Sequence, residues 1–203
     1  MVDDWAKTIL EIDLIDGLRH GVCVSNLTYL IAKKLGLSDE ECNNLAVAGM
    51  VHDIGKLRLS SYLYGRNSNG MIIEEIQYMR KHSRLGYEIL KKYSYNDAIC
   101  EAVLYHHENY DGSGYPDNLK AEKIPLGARI MRVADAFIAF ISERPYREAY
   151  DFDSAISIMI EDVKEYDMQV FLAFMDVIHE DGMLEKIRQD QMSIDYDMEE
   201  LNF

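Results

Sequence analysis

Five of the six histidines in this chain, together with two aspartates, lie at or near the ends of successive apolar helical stretches. They are His20, the pair His52-Asp53, His82, the pair His106-His107, and Asp135, spread over more than a hundred residues. Imidazole and carboxylate together form the ligand set for iron, manganese or zinc. The pattern suits two adjacent metal ions, so the fold must bring residues distant in sequence to one place. Each residue alone has a plainer reading. A lone histidine on an apolar helix is most often a hydrogen-bonded core residue, and Asp135 alone could pair with Arg129 or Arg132. Seven such residues ending apolar segments in one small chain argue for a metal-dependent hydrolase. The sixth histidine, His179, stands among acidic residues and reads as a surface side chain.

A chain of 203 residues is most simply one domain with a substantial core. No stretch reaches membrane-spanning length and the N-terminus lacks a basic flank followed by an apolar core, so a cytoplasmic protein without membrane contact is expected. Cys23, Cys42 and Cys100 have no C-x-x-C spacing, which argues for buried free thiols rather than disulfides or zinc-thiolate ligands. The net charge of -15 disfavours duplex nucleic acid, because no excess of Lys and Arg is available to displace counterions. One small anionic ligand remains compatible, since divalent ions offset several carboxylates.

Helical periodicity dominates, and no strand pattern or internal repeat is visible, so the fold class is all-α. Helices are expected from about Asp16 to Leu35, from Ser38 as N-cap to about His52, and over Glu74–His82, Ser83–Tyr93 and Asn96–His106. Pro125 suits the first turn of a helix carrying Ala128 to Ile141. Two more follow, about Phe152–Lys164 and Met168–His179. Arg58–Gly70 reads as a loop able to act as a lid, and the region from Asp181 reads as an acidic tail, residues 181–203, after a domain of residues 1–180. Consecutive residues on a helix point about 100° apart, so His52 and Asp53 converge on one ion only if the helix ends there, as Gly55 suggests. Asp135 lies inside an apolar helix, where an unpaired carboxylate would cost several kcal/mol on the order set by charge burial. A metal accounts for it.

His52-Asp53-Ile54-Gly55-Lys56, His106-His107-Glu108, and Tyr110-Asp111-Gly112-Ser113-Gly114-Tyr115-Pro116 together resemble the signature of the HD-GYP family. The likeness continues through Ile124-Pro125, Ala128-Arg129-Ile130, Val133 to Phe137 and Arg144-Pro145-Tyr146-Arg147, covering roughly residues 14 to 180. That resemblance implies an HD-superfamily helical bundle with a C-terminal helical extension. It implies a phosphodiesterase that opens cyclic di-GMP to pGpG, and in some members to GMP, with two divalent ions, commonly iron or manganese. Carried over by position, it makes His20, His52, Asp53 and Asp135 ligands of one ion, and His82, His106 and His107 ligands of a second, with Asp53 bridging. Asp16, one turn before His20, matches a place where some members hold a third ion. Lys56, Arg144 and Arg147 match positions that hold substrate phosphates, and Gly114, Tyr115 and Pro116 belong to the loop that shapes the site.

The mechanism this implies is attack by a hydroxide shared between the ions, with Lys56 stabilising or protonating the leaving oxygen. Tyr110 and Tyr115 read either as stacking on a guanine or as packing anchors. Three departures bear on substrate and lid: Gly21 to Val24 lack the usual Ser and Arg, Lys56 to Glu74 lack Pro-Gly, and Tyr166-Asp167-Met168 replaces Phe-Asp-Pro. The rival readings are a phosphohydrolase for another nucleotide, such as cyclic GMP-AMP, and a non-cleaving sensor of cyclic dinucleotides. A chain that starts almost at the catalytic domain is expected to take its input from a separate regulatory protein, from transcription control or from substrate level, and the Met-rich C-terminal helices could pack against a partner or a second copy.

Overall fold

Ser38 opens a helix as its sequence requires. Its hydroxyl accepts the Glu41 N–H at 3.3 Å while the Glu41 carboxylate takes the Ser38 N–H at 2.9 Å, a reciprocal capping box. Asn96, Asp151 and Asp167 cap three later helices through their side chains. The computed structural model describes residues 4–63, 78–143 and 147–200, with side chains over 15–59, 78–143 and 147–191. In chain order the helices are α1 (Asp4–Lys34), α2 (Asp39–Val51), α3 (Lys56–Leu63), α4 (His82–Lys92), α5 (Asp97–Tyr105), α6 (Leu126–Ile141), α7 (Phe152–Glu161), α8 (Met168–Ile178) and α9 (Met183–Glu200). Two short 3-10 turns, Ala121–Lys123 and Val163–Glu165, complete the described structure, which contains no strand. The all-α expectation holds.

Helix α6 is the axis of the bundle. Ten of its sixteen residues are buried, Ile130, Met131, Phe137 and Ile138 fully, and α1, α2, α5, α7 and α8 pack around it. Phe137 and Phe174 meet edge to face at 5.0 Å between ring centroids. Each such buried side chain stabilises the fold by roughly 1.5–3 kcal/mol. The thiols of Cys23, Cys42 and Cys100 are buried and free, as composition suggested.

The expected loop at Arg58 is instead helical as far as Leu63. Ser60-Ser61 weakens the helix locally, but Leu59 is fully buried and α3 packs on α4, and that burial outweighs a few tenths of a kcal/mol, roughly, of propensity. Residues 64–77, which hold the rest of the expected lid and most of the expected helix Glu74–His82, lie outside the described residues. Helix α1 begins well before Asp16. The stretch from Met183 is helical too, and Ile187 joins the core beside Met183 and Leu184.

Candidate metal centre

Five elements deliver the seven residues. His20 projects from the interior of α1 and Asp135 from the interior of α6. His52 is the C-cap of α2, and Asp53 follows in the turn that runs into α3. His82 is the first residue of α4. His106 is the C-cap of α5, with His107 next. Helix ends release adjacent residues from the 100° helical rotation, which is why the two pairs can each present both members. Gly55 makes the convergence possible: a Cβ there would collide with the His82 carbonyl and the Gly86 amide. Only a bare backbone lets α4 approach the His52–Gly55 turn so closely.

Three of the rings are oriented from behind. Nδ1 of His52, His82 and His106 lies 2.7, 2.8 and 2.7 Å from the carbonyl three residues earlier, at Gly49, Met79 and Val103. A carbonyl can only accept, so each Nδ1 carries a proton and each Nε2 is turned inward, the atom left to bind a metal. Burial holds His82 and His106 below the usual imidazole range, and pushes His107 down to about 3. His82 Nε2 then stands 3.2 Å from His106 Nε2 and 3.1 Å from His107 Nε2. His52 Nε2 is buried with no hydrogen-bond partner. His82 and His106, each with its proton on Nδ1, meet lone pair to lone pair and repel unless a cation lies between them. Nitrogens bound to one ion at about 2.0–2.1 Å would themselves sit roughly 2.8–3.4 Å apart. The donor set fits a metal.

The donors fall into overlapping groups: His82, His106 and His107; His20, His52 and Asp135; and His52, Asp53 and His106. Asp53 faces two ways, with Oδ2 3.4 Å from His52 Nε2 and Oδ1 3.4 Å from His82 Nε2. Asp135 Oδ1 is 2.9 Å from His20 Nε2 and 3.7 Å from His52 Nε2. Burial alone would raise both carboxylates. The Lys56 ammonium beside Asp53 instead holds its carboxyl well below the usual range, and the hydrogen bond with His20 does the same for Asp135. The alternative partners for Asp135 are engaged elsewhere: Arg129 pairs with Asp167, and Arg132 with Asn109 and Glu165. Asp16 is largely exposed and pairs with Arg19 at 2.8 Å, outside the donor groups.

Lys56, the first residue of α3, places Nζ 2.5 Å from Asp53 Oδ2. The loop after His107 is organised by Glu108, which is buried and accepts the N–H groups of Asp117 at 2.6 Å and Leu119 at 3.0 Å. Gly114 lies against the Glu108 backbone where no Cβ would fit, and Tyr115 packs on the His107 ring at 4.7 Å. Tyr110 instead bonds Glu122. Arg147 does not pair with surface acids: it donates to the carbonyls of Ala139 and Phe140 at the end of α6, with Tyr150 beneath it. Arg144, like Pro145 and Tyr146, lies outside the described residues. His179 is exposed, as expected.

A cleft of about 470 Å³ opens on the centre, touching His107, Asp135, Gly114 and Tyr115. Arg132, Asp135, Ala136, Ala139 and Phe140 line it as one face of α6. Sequence reasoning missed Arg80, which lies over Tyr115 at 5.1 Å, and Arg132 as a cleft residue. The spacing of Arg132, three before Asp135 on an amphipathic helix, was the available signal.

An all-helical bundle that ends helices on His-Asp and His-His around one polar centre is a hydrolase-type metal scaffold of the HD class. The HD domain family matches residues 6–170, and with the GYP loop in place the chain belongs to that family, in its HD-GYP branch. It is 42% identical over 139 residues to the cyclic di-GMP phosphodiesterase response regulator RpfG of Xanthomonas campestris, covering 67% of this chain and 36% of that one. It is 34% identical over 157 residues to the 3'3'-cGAMP-specific phosphodiesterase 1 of Vibrio cholerae, covering 75% and 36%. This chain thus spans little more than a third of the length of either relative. Among solved structures, V-cGAP3 from V. cholerae shares the fold with a TM-score of 0.69 at 16% identity, over 91% of this chain and 52% of that one.

Proposed function

We propose that this chain is a metal-dependent phosphodiesterase that opens cyclic di-GMP to a linear product, pGpG or GMP. The observation that carries the reading is Asp53, whose two oxygens face His52 and His82, on either side of the donor set. His20, His52, Asp53 and Asp135 would hold one divalent ion, and His82, His106, His107 and Asp53 a second, iron or manganese being the metals this mixed donor set suits. When bound, two such ions supply Lewis acidity toward the phosphate and lower the pKa of a water between them.

The remaining groups act on the substrate directly. Lys56, already within the field of Asp53, neutralises the developing charge or gives its proton to the leaving ribose oxygen. Arg147 presents a guanidinium to the cleft from the end of α6, suited to a second phosphate, and Arg144 is assigned the same task. Gly114 and Tyr115 wall the centre on the side of His107, with Pro116 next in the same loop, and keep bulk water from the reacting phosphate. No described helix is long and apolar enough to cross a membrane, and action in the cytoplasm, on a diffusible dinucleotide and under a separate regulator or a second copy, completes the reading.

Similarity to the cGAMP-specific relative supports one alternative, a preference for the mixed dinucleotide. Protein loaded anaerobically with Fe(II) or Mn(II) is to be incubated with cyclic di-GMP, and in parallel with 3'3'-cGAMP, and the products read by chromatography. Expected is pGpG or GMP from cyclic di-GMP, at a rate at least a thousandfold above an Asp53→Ala variant. Intact cyclic di-GMP beside cleaved cGAMP would transfer the assignment to the alternative.

A further inference from the structure

The cleft contains a carboxylate that a phosphate-binding surface would avoid. Asp162 lines it together with Glu165, Tyr166, Asn109 and Arg132. The Glu165 carboxylate is satisfied, holding Arg132 Nη2 at 2.7 Å, while Asn109 takes Arg132 Nε at 2.7 Å and Tyr166 lies 5.1 Å beneath the guanidinium. Asp162 differs. Its backbone is fixed at the junction of α7 and the Val163–Glu165 turn, through its N–H to Ile158 and its carbonyl from Glu165. Its side chain caps neither element and makes no ion pair or hydrogen bond among the described residues. A carboxylate at a helix C-terminus is also disfavoured by the helix dipole. Its backbone is fixed while its carboxylate is exposed and unengaged on the wall of the cleft.

We propose that Asp162 reads a guanine base of the substrate, an inference that rests on the cyclic dinucleotide reading above. The Watson–Crick edge of guanine offers two adjacent donors, N1–H and N2–H, which match the two oxygens of a carboxylate. Adenine sets an acceptor, N1, against the same oxygens and loses the second donor. Arg132, clamped from below and from the side, gives the base a flat cation to stack on or a donor pair for O6 and N7. Asp162 thus selects guanine over adenine on the cleft wall it shares with Arg132, which stands one helical turn before Asp135.

The test is calorimetric binding of GMP and of AMP to the Mn(II)-loaded full chain, neither of which has a diester to cleave. Wild type is expected to bind GMP at least tenfold more tightly than AMP, and Asp162→Ala to close the gap by weakening GMP while AMP stays within twofold. Glu161→Gln, one residue away and outside the cleft, should bind both as wild type does. In turnover, Asp162→Ala should raise KM for cyclic di-GMP at least tenfold with kcat within threefold. A wild type with no GMP preference, or a preference that survives Asp162→Ala, overturns the assignment. Selective GMP binding through Asp162 in a protein that leaves every cyclic dinucleotide intact would retire the phosphodiesterase reading and leave the base reader standing. Turnover of cyclic di-GMP with no effect of Asp162→Ala would do the reverse.

Discussion

The inward-facing imidazoles owe their usefulness to a hydrogen bond on the far side of the ring. With Nδ1 of His52, His82 and His106 committed to a carbonyl, the tautomer is settled before any ligand arrives, and only Nε2 is left for the centre. Lys56 stands differently, as a cation in contact with a centre of seven donors. It donates nothing to a metal, so removing it should separate binding from chemistry. Lys56→Ala is expected to keep the metal content of wild type, read by elemental analysis, while kcat on cyclic di-GMP falls about a hundredfold, the size of a typical general-acid contribution. A kcat within threefold of wild type would place Lys56 among the surface cations instead.

At the scale of elements, two helical hairpins present the ligands in the same way. α1–α2 and α4–α5 each carry a histidine on the first helix, His20 or His82, and a left-handed residue at the bend, Gly36 or Ser94. Each then has a capped second helix, a Lys–Asp pair across the bend (Lys33–Asp39 and Lys91–Asp97), and a C-cap histidine followed by another ligand. The bends themselves are in register, Lys33, Gly36, Ser38 and Asp39 matching Lys91, Ser94, Asn96 and Asp97 at one offset, but the flanking histidines are not, and so few shared residues do not read as a repeat. The GYP loop spans the open side and depends on one buried residue: Glu108→Ala would strand the N–H groups of Asp117 and Leu119. That should lower stability by about 1–3 kcal/mol, and raise KM more than it lowers kcat, with metal content intact. Denaturant melts and steady-state kinetics check it, and a KM near that of wild type would mean the loop holds itself. The ligand pattern was legible because metal donors come from few residue types and here interrupt apolar runs. The Arg132 and Asp162 ends of the cleft were not, since a charge on a helix face or at a helix end reads as solvated until the opposite wall is known. The α3 segment was misread for a related reason: the burial of Leu59 depends on α4, which lies on the other side of residues 64–77.

For the whole molecule, the centre is a stability liability that a metal converts into an asset. Burial pushes His107 to about 3, and holds His82 and His106 below their ordinary range. An unfolded chain protonates these rings near pH 6.5. Between that value and the folded pKa, the unfolded state binds protons that the native state refuses, so stability falls as pH falls. For His107 alone the loss at pH 5 is about 2 kcal/mol, from the 1.36 kcal/mol carried by each pH unit below 6.5. Asp53 and Asp135, held below the usual carboxylate range, act in the same direction at lower pH, their stabilisation being lost as pH drops past about 3.8. Metal-free protein should therefore melt several degrees lower at pH 5 than at pH 7, and His107→Leu, which removes one such group, should flatten the slope. Adding Mn(II) to about a thousand times its dissociation constant should restore about 4 kcal/mol per site at pH 7. A metal-free melting temperature unchanged from pH 7 to pH 5 would mean that the rings accept protons in the folded state, and the inward lone pairs argued for the centre would then be absent.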